Sequence, residues 1–354
     1  MRDKIVGINF LSYKVCNMTL DAVEVIQEEY YQALKPIFYP DIPSKYDILI
    51  FFASLLRIVG MEDRGWDPLM ESRAALDDLN SIMQMELPIA NFPNPEMTKW
   101  RIGLLLYSHM VEMDAPYEVI TNLLRFRLGY GYSPNPYYQF LNSKEKKRFA
   151  GRGLYPAGKI KIIKKLSDEA GLNIGRAFDD FYDPKLRNAV SHSDYIVTDT
   201  QFRVRNGTGA WGAYSIPLEN LDKTLTKAKA FYSMFFGLDH AARHTWGGMA
   251  AKALPYDPHY KGLLEVLSDD MGLMCGFKVH WPNSSESTYR RTETGIEMTN
   301  CMLAMKQNTI ELMFGSYAQK AGAFSPLVED GITPVYTKRE GIDAPLVWPG
   351  DGAV

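Results

Sequence analysis

Asp183-Pro184-Lys185-Leu186-Arg187-Asn188-Ala189-Val190-Ser191-His192-Ser193-Asp194-Tyr195 is the stretch on which the reading of this chain turns. Aspartate is a strong helix N-cap, and proline suits the first helical position because its missing N–H would be unsatisfied there anyway. A helix is therefore predicted to open at Asp183-Pro184. Within it Arg187 and Ser191 stand four residues apart, as do Asn188 and His192, so each pair stacks on one face. The two pairs lie about 100° apart around the axis and make one wall of Arg, Asn, Ser and His. Polar groups at such density, flanked by Leu186, Ala189 and Val190, need hydrogen-bond partners wherever they are buried.

Upstream of the motif the chain reads as helices divided by proline turns. Thr19-Leu20-Asp21 opens a run to about Leu34, with Thr19 as its cap; Ser44 to Val59 is a second helix ending at Gly60, and Asp67-Pro68 starts a third. Asn91-Phe-Pro-Asn-Pro is a loop that marks a boundary. Met97 to Met113 and Ala115-Pro116 to Leu128 are apolar helices, and Gly129 to Tyr138 is an aromatic-rich loop. Lys144 to Arg148 is a basic patch read as a charged loop. Lys159 to Ala170 forms an amphipathic helix carrying Lys159, Lys161, Lys164 and Lys165, and Leu172 to Phe181 a shorter one.

After the motif the periodicity changes to alternation: Tyr195-Ile-Val-Thr, Gln201-Phe-Arg-Val-Arg and Ala213-Tyr-Ser-Ile, with the turn dipeptide Asn206-Gly207 between the last two. This is a small inserted β-hairpin. Pro217 to about His244 closes the region as a long helix. Gly272 to Trp281, Ser287 to Thr292 and Thr309 to Phe314 read as strands, Met298 to Lys306 as strand or helix, and the tail after Ala321 as irregular chain rich in proline and glycine. The fold class expected is mainly α: a helical bundle with an inserted β-hairpin and a small α+β or β-rich C-terminal domain. The blocks are 1–94, 95–250 and 255–354.

Composition bounds the function classes. Of 354 residues, 46% are hydrophobic and 23% charged, the usage of a chain with a real core. The net charge of −3 lacks the generally basic surface of a duplex binder, although a local basic cleft can still hold a few phosphates. Cys16, Cys275 and Cys301 are odd in number and widely spaced, so neither a disulfide framework nor a CxxC metal site is expected. No apolar stretch approaches the roughly 18 residues of a membrane span, and no signal peptide is read at the N-terminus. The expected setting is a reducing cytoplasm, with no membrane.

The polar wall has the groups for RNA cleavage without a metal. A 2′-OH attacks the adjacent phosphate, a proton must be shuttled, and negative charge builds on the phosphoryl oxygens. Histidine titrates near neutrality and suits the proton transfer. Arginine presents a planar fork matched to phosphate oxygens. One Arg and one His are thin for a full acid–base pair, and a second copy across a two-fold axis supplies the missing group.

Leu186 to Tyr195 resembles the R-x4-H signature of the HEPN superfamily, in which the Arg, the polar residue after it and the His form a ribonuclease site at a helical-bundle dimer interface. Asn188 and Ser191, by their place on the wall, assist by orienting the imidazole or the phosphate, and the resemblance gives Arg187, Asn188 and His192 the family's site roles, with Arg187 as phosphate ligand and His192 as proton shuttle. It also implies a homodimer, RNA as substrate, and a role in phage defence or as a toxin. No metal or cofactor is expected. Tyr195, Lys164 and Lys165 are assigned to the RNA path. It extends to architecture: helices before the motif, a hairpin, then a final bundle helix, over about residues 95–250. Family members modified on tyrosine carry that Tyr two residues after the His, where this chain has Asp194, so that modification is not expected.

Two other readings compete. Arg187 pairs with Asp179, Asp180 or Asp183 and His192 with backbone, which makes the wall structural; or the region is a non-catalytic module for dimerisation or ligand sensing. His240 and His244 lack a third metal ligand, and Arg243 repels a cation. His109 with Glu112 reads as a satisfied histidine, with Glu112 and Asp114 available to face His192. Gly129-x-Gly131 and Gly151-x-Gly153 are loops rather than nucleotide fingerprints. Trp281 is assigned to core, and His280, Arg290 and Arg291 to surface.

Overall fold

The computed structural model describes residues 19–40, 48–58, 68–204, 214–250, 253–255, 263–281, 284–292, 295–306 and 309–314. Among them the chain is mainly α-helical with antiparallel β-structure. The helices are α1 (Leu20–Phe38), α2 (Ile48–Leu56), α3 (Pro68–Gln84), α4 (Pro95–Glu112), α5 (Asp114–Arg127), α6 (Ser143–Arg152), α7 (Pro156–Glu169), α8 (Ile174–Ala177), α9 (Pro184–Ser191) and α10 (Leu218–Gly247). The strands are β1 (Tyr195–Val197), β2 (Gln201–Val204), β3 (Ser215–Pro217), β4 (Ala253–Pro255), β5 (Leu263–Ser268), β6 (Met274–His280), β7 (Glu286–Thr292), β8 (Gly295–Thr299), β9 (Cys301–Lys306) and β10 (Thr309–Phe314). No helix among the described residues is long and apolar enough to cross a membrane.

The chain forms two compact units. One comprises Met1–Pro36, Asp67–Tyr117 and Arg148–Leu238; the other comprises Ile37–Trp66, Glu118–Lys147 and Asp239–Val354. They interleave along the sequence.

In the first unit local signals set the helix starts. Thr19 caps α1 through its hydroxyl, 3.3 Å from the Ala22 amide. Asn94 caps α4 by accepting from Met97 N–H at 3.1 Å, with Pro95 in the first turn. The Asn91-to-Pro95 loop is thus a helix-capping device. Single residues break α4 from α5: Met113 is extended (φ −60°, ψ 120°), which leaves Glu112 as the last residue of α4. The core is aromatic. Phe178 and Phe181 lie 4.9 and 5.1 Å from Phe231, and Tyr117 stacks on Phe178 at 5.7 Å. Each such fully buried ring contributes about 1.5–3 kcal/mol. β1, β2 and β3 form a three-stranded antiparallel sheet, one strand more than a hairpin, pairing Ile196 with Arg203 and Phe202 with Ile216. The Asn206-Gly207 turn lies outside the described residues.

In the second unit β4 to β8 form an antiparallel meander, and β9 pairs with β10. Leu264 faces Val279, Val266 faces Phe277, and Phe277 faces Tyr289, all buried. Met298 to Lys306 is therefore strand, broken at Asn300 between β8 and β9. Gly276 of β6 is required by space: a Cβ there would meet the Tyr289 carbonyl oxygen at 2.2 Å. Phe52 of the buried helix α2 stacks on Phe277 at 6.4 Å and meets Trp246 edge-on at 5.0 Å.

The basic patch at Lys144 is helical rather than a loop. Asn142 Oδ1 accepts from the Lys144 and Glu145 amides at 3.0 Å, and Glu145 reaches back to the Asn142 amide at 2.9 Å. This reciprocal capping box overrides the mutual repulsion of the lysines. The start of the second expected helix (44–47), Gly60, Cys16 and the tail after Ala321 lie outside the described residues.

Candidate functional site

All that positions the motif belongs to the first unit. Asp183 caps α9 as its sequence predicts: Oδ1 accepts from the Lys185 and Leu186 amides at 2.8 and 3.2 Å. Its other oxygen accepts the Tyr214 hydroxyl. The buried Tyr107 hydroxyl of α4 donates to the Phe181 carbonyl at 3.0 Å and accepts from the Asp183 amide at 3.1 Å. Burial, the largest influence, raises the Tyr107 phenol above its ordinary range, so the hydroxyl keeps its proton. α9 thus starts at a point fixed by side chains from two other elements.

The other end is fixed by backbone. His192 is the C-cap residue (φ −98°, ψ 2°). Ser193 is left-handed (φ 54°) and donates to the Val190 carbonyl at 3.1 Å, while Asp194 donates to Ala189 at 2.9 Å. That pair of bonds is a Schellman motif with serine where glycine is usual.

Between these ends the side chains divide. Leu186, Ala189 and Val190 are buried. Arg187 Nε donates to Glu112 at the end of α4, and its Nη1 donates to Asn188 Oδ1 at 2.9 Å. The guanidinium lies over the Tyr155 ring, 5.7 Å from its centre. The arginine side chain is 14% exposed and the Glu112 side chain 37%. The Glu112 hydrogen bond is the largest influence raising the Arg187 proton affinity above its ordinary value. A guanidinium has five N–H donors. Two are engaged here, which leaves three without a partner among the described residues.

Asn188, Ser191 and His192 are exposed. The His192 imidazole makes no hydrogen bond to a described residue. It stands five positions after Arg187, about 140° around the axis and 7.5 Å along it. Asn188 bridges that angle: it receives Arg187 on one side and shares the helix face of His192. Tyr182 lies beside the Arg187–Glu112 pair and accepts from the Ala157 amide, and burial is the main influence raising its phenol.

The remaining expected site residues go elsewhere. Tyr195 of β1 stacks on Phe202 at 5.1 Å. Lys164 is paired with Asp179, and exposed Lys165 stands 3.8 Å from Glu169. Both lysines lie nine or more residues along α7 from Tyr155, about 13 Å of helix axis. Asp114 pairs with Lys159 rather than facing His192, and Glu112 faces Arg187. Asp179, Asp180 and Asp183 are not Arg187's partners: Asp180 meets Tyr30 and Lys227. His109 is satisfied by the Ser72 carbonyl at 2.9 Å. Sequence reasoning missed Tyr155 and Tyr182, which precede α7 and α9 with no motif to flag them.

Among the described residues no group of three or more His, Cys, Asp and Glu side chains is placed to hold a metal. A cavity of about 40 Å³ between α3, α4 and α10, lined by Met83, Trp100, Gly103 and Leu225, includes none of the motif residues. It has room for only two or three waters, far short of a nucleotide. No protein-family model matches the chain, and no curated protein or solved structure matches it either.

Proposed function

We propose that this chain is a metal-independent endoribonuclease of HEPN type that works as a homodimer, with Arg187 and His192 at its centre. The supporting observation is that a helix fixed at both ends carries an exposed imidazole and an arginine with three unpaired donors, with Asn188 accepting from the arginine and sharing the helix face of the imidazole. In this reading the open N–H groups of Arg187 bind the scissile phosphate. Neutral His192 removes the 2′-OH proton as the 2′-oxygen bonds to phosphorus. The P–O5′ bond breaks, and the 5′-oxygen takes a proton from the imidazolium of a second copy's His192. The product carries a 2′,3′-cyclic phosphate. Asn188 and Ser191 assist, and defence against phage or a toxin role is the biology that goes with it.

Cleavage of single-stranded and tRNA-like RNAs in EDTA tests this, comparing wild type with Arg187→Ala and His192→Ala. Cyclic-phosphate ends that vanish in both folded variants are expected. Activity surviving both substitutions would discard the motif, and a well-folded wild type inert on every RNA would discard the activity.

One observation favours a second reading. Arg187 is already neutralised within its own chain by Glu112, as in a structural ion pair, and this fits a non-catalytic dimerisation or ligand-sensing module.

A further inference from the structure

Tyr155 precedes the first residue of α7 and acts as its N-cap without a side-chain capping bond. The residue is 45% exposed. The ring is nonetheless held in place, because the Arg187 guanidinium lies against it at 5.7 Å and Arg187 is itself fixed by Glu112 and Asn188. Folding ordinarily hides so large an apolar surface or leaves it loose. This one is displayed and oriented, within one side chain of the three open donors of Arg187.

Single-stranded nucleic acid asks for that pairing. Its phosphates need fork-shaped cationic donors, and its unstacked bases need aromatic faces. Phosphate and base belong to the same nucleotide, so a donor and a ring in contact with each other can serve neighbouring parts of one strand. We propose that Tyr155 is a stacking platform for one unpaired base next to the phosphate held by Arg187. The inference rests on the ribonuclease reading and adds to it a substrate class: RNA that is single-stranded at the cleavage point. A paired base stays in its helix and cannot reach the ring. Stacking tolerates any base, so the subsite selects strandedness rather than sequence.

The test uses the full chain and a short RNA made uncleavable by 2′-O-methylation, with 2-aminopurine at one position. Binding is read by anisotropy and stacking by 2-aminopurine quenching. Wild type and Tyr155→Phe are expected to bind alike and to quench. Tyr155→Leu and Tyr155→Gln, two ring-less variants checked by thermal melting, are expected to bind about 5- to 150-fold more weakly, the range that one lost base stack implies. An abasic site at the stacked position should erase that difference. Inorganic tripolyphosphate, which has no base, should bind all four proteins equally. Ring-less variants that hold the RNA as tightly as wild type would overturn the platform. So would an equal loss for tripolyphosphate, which would reduce Tyr155 to a support for Arg187. A wild type that binds no RNA at all would overturn the ribonuclease reading itself.

Discussion

The motif helix and the face of the C-terminal sheet each set a histidine among charged residues, with opposite results. On β6, His280 places Nε2 2.7 Å from Glu265 and Nδ1 3.0 Å from Glu286, while Lys278 holds the other oxygen of Glu286 at 3.1 Å. Strand register produces this: His280 stands opposite Glu286, and Glu265 opposite Lys278. Both ring nitrogens are engaged. His192 stands exposed at a helix end, its ring without a hydrogen bond to any described residue. A histidine clamped by its neighbours contributes to holding a sheet together; one left open on a rigid support can exchange protons with something else. The contrast locates chemistry by hydrogen-bonding capacity left over after folding.

Substitutions can break that contrast. The largest effect expected is His192→Ala, a loss of about 10²- to 10⁴-fold in cleavage rate, the usual worth of a proton-transfer group, with an unchanged melting temperature. Comparable loss from His280→Ala would void the distinction between the two histidines. Next comes Gly276→Ala, whose methyl would collide with the Tyr289 carbonyl. Denaturant unfolding should show about 3 kcal/mol or more of destabilisation. Glu112→Gln keeps the shape of the Arg187 partner and removes its charge. Cleavage is expected to fall about tenfold and stability by about 1 kcal/mol, the excess of a charge-assisted hydrogen bond over a neutral one. His280→Gln should lower stability by about 0.2–1 kcal/mol, a cross-strand pair's worth, and leave cleavage alone. Smallest is Ser193→Gly. Relief of a left-handed serine, about 1–2 kcal/mol, is partly offset by the freedom glycine adds to the unfolded chain, about 0.5–1 kcal/mol. A small rise in melting temperature is expected.

The sequence was most legible where the physics is local. Asp183-Pro184 and Thr19 each announce a helix start through groups within three residues of the cap, and the chain uses both; Asn94-Pro95, read as part of a boundary loop, is a third cap of the same kind. Alternation located β1, β2 and β3 in the same way. The capping box at Asn142 and Glu145 was equally local, but four basic residues beside it drew attention to charge instead. β5 escaped because Leu263-Leu-Glu-Val-Leu-Ser has apolar residues at both parities, and only Leu264 and Val266 turn out to be fully buried. Partnerships between distant residues were the illegible part. Glu112 lies 75 residues before Arg187, and nothing in either segment prefers the other over Asp179 or Asp183. The α4–α5 break at Met113 decides it, by leaving Glu112 at a helix end. Tyr155 was invisible for a related reason: an exposed tyrosine acquires meaning only from the guanidinium packed on it.

The aromatic cluster in front of the motif gives the molecule an optical signature. Phe178 and Phe181 immediately precede α9, and they couple through Phe231 to Tyr30 at 5.6 Å and Tyr232 at 5.4 Å. Rings this close, in a chiral and rigid array, exchange excitation and absorb left- and right-circularly polarised light unequally in the near ultraviolet. Part of that band therefore originates at the footing of the motif helix. A variant that loses activity while the band persists has lost a chemical group; one that loses both has lost the ground on which the group stands.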